Sequence, residues 1–161
     1  MLTEAAIVTA ISLREVTADS VRAVTNLRVA PEQESYVAST AVSIAQAYFH
    51  REAWFRSVHA GNDLVGFAML RDNTLLDAEA RRPEVSLWRF MIDHRFQKLG
   101  YGRQALHLVL AHARTRPGVK SIQTSYVVGP HGPRDFYLSF GFRHTDEVKA
   151  NGEVCLTLDF T

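Results

Sequence analysis

The chain has 161 residues, with 18 basic and 17 acidic side chains, a formal net charge of +1, 47% hydrophobic and 22% charged residues. Such a composition is ordinary for a soluble globular protein, and the length suits one domain over 1–161 that buries roughly 70% of its unfolded surface. The near-neutral balance argues against a nucleic-acid binder, and no apolar run approaches the ~18 residues of a membrane span.

The single cysteine, Cys155, leaves no intramolecular disulfide framework and no multi-cysteine zinc site. Nothing near the N-terminus has the pattern of a signal peptide, so the expectation is a cytoplasmic protein. Residues 1–10 carry little pattern and read as a loosely held lead-in. Ile11, Leu13 and Val16, set among Ser12, Arg14 and Glu15, predict a short edge strand. Thr17, Asp19 and Ser20 then offer N-cap oxygens to a helix running through Leu27. Pro31 opens an acidic helical piece over 31–37, and residues 42–50 place Ile44, Ala47 and Tyr48 at helical spacing.

The period then changes. Residues 54–60 and 63–70 are β-prone runs joined by Gly61-Asn62, which predicts an antiparallel hairpin. Residues 71–83 are polar and read as a loop. Residues 84–92 predict a strand with Val85, Leu87, Arg89 and Met91 on one side and Trp88, Phe90 and Ile92 on the other. Over 100–116, Leu106, Val109, Leu110 and Ala113 follow a helical period that Pro117-Gly118 ends. Residues 120–128 predict a strand, 133–140 a short helix stopped by Gly141, and 143–148 and 153–160 a strand pair across 150–152. The sum is an α+β fold: helices first, a mostly antiparallel sheet, and one helix crossover between two central strands.

The segment Asp93-His94-Arg95-Phe96-Gln97-Lys98-Leu99-Gly100-Tyr101-Gly102-Arg103 carries the most chemistry. It leads from a strand end through a small and basic loop into the long helix. Exposed N–H groups at a helix start favour a phosphate, and Arg95, Lys98 and Arg103 add positive charge. An ordinary strand-to-helix turn, with glycines that only relieve crowding, is the alternative. Gly100-Tyr101-Gly102-Arg103-Gln104-Ala105 also satisfies the dinucleotide fingerprint. That motif, however, needs its first glycine at the strand end and an acidic residue ~20 positions on, where residues 120–124 hold none.

Gln97-x-x-Gly100-x-Gly102 after a strand, followed by Phe136-Tyr137-Leu138-Ser139-Phe140-Gly141-Phe142, resembles the GNAT superfamily of N-acetyltransferases. Leu27-Arg28-Val29-Ala30-Pro31-Glu32-Gln33-Glu34-Ser35-Tyr36-Val37-Ala38, Ser43-Ile44-Ala45-Gln46-Ala47-Tyr48 and Leu87-Trp88-Arg89-Phe90-Met91-Ile92-Asp93 are similar to its diamine/spermidine N-acetyltransferase branch. Two positions depart from the pattern: Ser39-Thr40 stands where that branch has Pro-Asn, and Pro130 stands where many relatives carry Asn.

The resemblance implies a mixed, mostly antiparallel central sheet flanked by helices, with splayed central strands. It implies acetyl-CoA as co-substrate, no metal, and a small amine acceptor, with polyamines or diamines such as spermidine favoured. A homodimer is implied by the same analogy. Phe90, Met91 and Ile92 would meet the pantetheine arm, with a backbone N–H near Met91 or Ile92 facing the developing oxyanion. Gln97, Lys98, Leu99, Gly100, Tyr101, Gly102 and Arg103 would hold the pyrophosphate. Tyr137 would hydrogen-bond or protonate the departing thiolate, unless it is simply a packing tyrosine among Phe136, Phe140 and Phe142.

On the acceptor side, Glu34 with Glu32 and Glu52 could attract a polyamine, or form a solvated helix face; Trp88 could stack on an alkylammonium chain, or sit in the core. Glu34, Glu84, Asp93 and His94 are all candidates for the general base. His107 and His112 are wrongly spaced to share a metal, Cys155 reads as packing, and no G-x-S-x-G elbow is present. The same fold could serve an aminoglycoside, amino-acid or protein amine, or a non-catalytic acyl-CoA-binding sensor.

Overall fold

The computed structural model describes residues 9–77 and 82–161. Among them, seven strands form one sheet: β1 (Ile11–Arg14), β2 (Ala53–Ala60), β3 (Asp63–Asp72), β4 (Val85–Ile92), β5 (Ser121–Tyr126), β6 (Arg143–Val148) and β7 (Val154–Asp159). Their spatial order is β1-β2-β3-β4-β5-β7-β6, and every neighbouring pair is antiparallel except β4 and β5. The helices are α1 (Val21–Thr25), α2 (Thr40–Ala47), α3 (Tyr101–Arg114) and α4 (Arg134–Ser139). α3 forms the crossover that the parallel pair requires, as the sequence predicts.

Two cores lie on opposite faces of the sheet. Leu106, Val109, Leu110 and Ala113 of α3 bury their stripe against Leu70, Val85, Leu87, Ile122 and Leu156. On the other face, Phe67, Met69 and Met91 meet Val24 and Leu27, and Ile44 and Ala47 of α2 close over them.

Local differences from the sequence reading have identifiable causes. Residues 31–37 make a single 3-10 turn, Pro31–Gln33, succeeded by further turns, because Gln33 Oε1 accepts from the Ala30 N–H and folds the segment back. α1 spans five residues and ends before Leu27, whose side chain goes into the core. The expected lead-in lies mostly outside the described residues, but the Ala10 carbonyl accepts from Gly61 N–H at the β2–β3 turn. β3 takes Arg71 and Asp72 from the expected loop and a 3-10 turn takes Asn73–Leu75, while 78–81 lie outside the described residues.

The alternation expected for β4 breaks at Trp88. Leu87 pairs with Leu70 and Arg89 with Met69, so Trp88 is an extra, bulged residue. Val85 and Leu87 therefore face α3, whereas Arg89 and Met91 share the opposite face with Met69 and Phe67.

β4 ends on Asp93, whose side chain is 1% exposed. Its carboxylate accepts from the Arg28 N–H (2.9 Å), the Arg95 N–H (3.0 Å) and Arg95 Nε (2.8 Å), tying the strand end to a segment 65 residues away. Burial pushes its pKa up, but these hydrogen bonds outweigh burial and hold it below the ordinary 3.8. A depressed carboxylate pKa stabilises the fold above the unfolded value and loses that contribution as pH falls through the folded value. Asp93→Ala is expected to cost about 3 kcal/mol near neutral pH, with the gap to wild type narrowing towards about pH 3. Urea unfolding of both proteins across that range checks this; a gap that stays constant would remove the ionised carboxylate as its source.

Candidate active site

β4 and β5 hold each other through just two residue pairs, Val85 with Ile122 and Ser86 with Gln123. Beyond them the strands part, and a cavity of about 1020 Å³ opens between the end of β4, the loop into α3, the start of α4, the 31–38 segment and the β6–β7 turn. Phe90, Met91 and Ile92 form its wall on β4. From Trp88 onward this strand has no ladder partner on the β5 side; the Arg89 and Gln97 side chains take the Trp88 and Ile92 carbonyls, and the stretch between lines the cavity.

At one end lies the loop into α3. Gly100 is the N-cap of this 14-residue helix, with φ +84°, and Lys98 also has a positive φ of +63°. Lys98 and Gly100, both left-handed with Leu99 between them, curve the loop into a concave turn at the helix start that an anion can enter, and the first turn of α3 holds no acidic side chain to compete. Gln97, Lys98, Gly100, Gly102 and Arg103 all line the cavity.

The individual roles differ. Gln97 Nε2 donates to the Ile92 carbonyl (2.9 Å) and to Gln33 Oε1 (2.8 Å), so its side chain braces the loop. Arg103 reaches α4, donating from Nη2 to Ser139 Oγ at 2.6 Å and lying over the Phe140 ring. Two residues expected on the phosphate loop are not in the lining. Leu99 points outward, 57% exposed, and Tyr101 packs with Ile92, Phe96 and Ala105 to anchor the loop from behind.

Tyr137 lines the cavity from α4 and is buried beside Phe136 and Phe142. Packing and lining thus describe the same residue. Burial pushes its phenol up to about 12; the Thr124 hydroxyl beside it pulls the other way without offsetting this.

On the remaining wall, Glu34 is the one candidate base that lines the cavity; Glu84, Asp93 and His94 do not. Glu32 and Glu52 stay outside it too, and Glu52 accepts from, or shares a proton with, His50 Nδ1 at 3.0 Å. Trp88 enters the lining, but the Arg71 guanidinium lies 4.2 Å above its ring and His50 meets it edge-on, leaving less aromatic face for a ligand than the sequence reading supposes.

The sequence reading missed Arg89, Tyr36, Lys149 and Glu153 as lining residues. Tyr36 roofs the cavity: its hydroxyl accepts from the His131 N–H at 3.3 Å, and a methyl on Gly129 would overlap that hydroxyl. The closeness of Gly129 to Tyr36 depends on segments over 90 residues apart in sequence, so no local pattern announces it.

A Cβ at Gly100 would meet nothing within 4 Å, so the cost of Gly100→Ala is backbone strain alone. The expected loss is about 1 kcal/mol of stability, read by thermal or urea unfolding. A neutral substitution would show that the left-handed geometry is not enforced.

The sequence profile described as the acetyltransferase (GNAT) family matches residues 21–142. The spermine/spermidine N(1)-acetyltransferase of Bacillus subtilis strain 168 is 31% identical over 146 residues, covering 89% of this chain and 94% of that protein. Among solved structures, the aminoglycoside acetyltransferase AAC(6')-Ib in complex with coenzyme A superposes with a TM-score of 0.74 at 12% identity, over 93% of this chain and 95% of that one. Arabidopsis thaliana Naa50, bound to a bisubstrate analogue, gives a TM-score of 0.60 at 17% identity, over 93% and 99%.

Proposed function

The chain belongs to the acetyltransferase (GNAT) family and uses acetyl-CoA as co-substrate, and from that premise we propose that it acetylates the primary amine of a small molecule, with diamines and polyamines as the favoured class. The observation that carries this reading is a single cavity that joins a concave turn at a helix start, an unpaired strand edge, a buried tyrosine and an acidic side chain. The polyamine class is supported by the name of the Bacillus subtilis relative and by Glu34 in the lining.

In this reading the backbone of residues 98–103 holds the pyrophosphate, and the start of α3 adds its partial positive charge. The free edge of Phe90, Met91 and Ile92 holds the pantetheine amides, and an N–H near Met91 or Ile92 faces the acetyl oxygen, where charge develops. Glu34 draws in the ammonium and accepts its proton, directly or through water, so that the amine attacks as the neutral base.

Tyr137 stands at the leaving sulfur. A phenol pushed up to about 12 by burial is a weaker acid than a thiol, so full proton transfer from it to the leaving thiolate is uphill. Tyr137 therefore serves by donating a hydrogen bond to the sulfur, with the thiolate taking its proton from water afterwards.

Tyr137→Phe should lower kcat by about 10–100-fold with acetyl-CoA affinity retained, read as thiol release alongside a cofactor titration; unchanged kcat would remove Tyr137 from the reaction. Because burial keeps Tyr137 neutral, the wild-type kcat profile should show no alkaline fall from this residue below about pH 10, and a fall present in wild type but absent in Tyr137→Phe would contradict the raised pKa.

The acceptor reading is tested with acetyl-CoA and a panel of amines. Thiol release with spermidine, spermine or short diamines, but not with aminoglycosides or peptides, is the expected result. Binding of acetyl-CoA without release for any amine would favour a sensor.

A further inference from the structure

We infer that Arg89 is a docking point for an acid group carried by the acceptor, so that the preferred substrate is a diamine that also bears a carboxylate, of the α,ω-diamino acid class. This rests on the small-amine reading above and narrows it.

Arg89 comes directly after the bulged Trp88 and lines the cavity from the α2 face of the sheet. Its Nη2 donates to Gln46 Oε1 at 3.0 Å and its Nη1 to the Trp88 carbonyl at 3.0 Å, while its Nε is buried with no partner. Among the described residues it makes no ion pair. Glu153 is the acid whose charge reaches it, yet Glu153 Oε2 is engaged by Asn151 Nδ2 at 2.6 Å. Arg71, packed over Trp88, and Lys149, in the cavity lining, are further cations on this side.

Burial disfavours the charge on Arg89, but a guanidinium does not give up its proton in a protein. A half-buried guanidinium that lines a ligand cavity, with no ion pair among the described residues, is matched by an anion, and a carboxylate can accept the N–H groups that Nη1 and Nη2 leave unused. A bare diamine has nothing to offer there, and its ammonium groups would meet a like charge. Glu34 in the same lining supplies the opposite sign for an ammonium. The lining holds two acids, Glu34 and Glu153, and the cations Lys98, Arg103 and Lys149 besides Arg89, and Arg89 with Glu34 complements a zwitterion with a second amine.

The test compares matched acceptors, lysine with cadaverine and ornithine with putrescine, each differing by one carboxylate. Thiol release from acetyl-CoA gives kcat and KM for each. Wild type is expected to prefer the carboxylated member by about tenfold or more in kcat/KM, mainly through KM. Arg89→Gln should collapse that ratio towards one, and Arg89→Lys should restore part of it; acetyl-CoA titration shows that each variant is folded. Equal or better turnover of the plain diamines by wild type overturns the inference and leaves the acetyltransferase reading standing. A ratio that Arg89→Gln leaves unmoved also overturns it, by placing the preference elsewhere. Absence of thiol release with every amine overturns the acceptor reading and this inference together.

Discussion

Everything in the site depends on β4 and β5 failing to stay together. A parallel ladder of two residue pairs is short, and the next residues of each strand decide whether the sheet reseals or opens. It opens because the bulge at Trp88 adds a residue and twist to β4, while Asp93 fixes the end of the strand to Arg28 rather than to β5. The unpaired edge would be costly if buried dry, since backbone N–H and C=O groups need partners. Facing a cavity, it can be met by water or by a ligand. The same opening lets α3 start at the mouth of the gap, with Gly100, which is left-handed, and Gly102 both in the cavity lining.

The two ends of the cavity are mechanically linked. Gln97 bonds the Ile92 carbonyl and, through the same Nε2, Gln33 of the segment that carries Glu34. Gln33 in turn accepts from the Ala30 N–H. One amide thus connects the loop into α3, the end of β4 and the 31–38 segment. Tyr36 closes the circuit from above by reaching the 129–132 loop. A shift in the loop into α3 has a short, hydrogen-bonded route to the 31–38 segment.

Much of the fold is legible in the sequence because its signals are local. The β2–β3 hairpin is written in Gly61-Asn62 between two β-prone runs, and α3 in the apolar stripe Leu106, Val109, Leu110 and Ala113. Gly100 and Tyr137, singled out by their motifs, both line the cavity. The illegible part depends on register or distance. The bulge at Trp88 is a property of the pairing with Met69 and Leu70, and it moves Val85 and Leu87 to the face opposite Arg89 and Met91. That slip is why Arg89, which a strict alternation places beside Val85 and Leu87, stands instead in the cavity wall. Tyr101 shows the converse: its motif places it on the phosphate loop, yet its ring is the apolar anchor that the loop packs on. The brace from Gln97 to Gln33 spans 64 positions and no periodicity could suggest it.

Burial acts on two groups of this cavity with opposite chemical results. Tyr137 responds by becoming a weaker acid, and since its neutral form is the burial-favoured one, the site gains a stable hydrogen-bond donor at no electrostatic cost. Arg89 is pushed in the direction of its neutral form as well, but a guanidinium keeps its proton at any pH where the protein works. Its charge therefore persists in a place where water and the neighbouring acid only partly answer it. A lysine in the same position could have shed a proton and gone quiet. A guanidinium next to the β4 bulge keeps a permanent positive charge in the cavity lining, which separates this cavity electrostatically from one lined by acids alone.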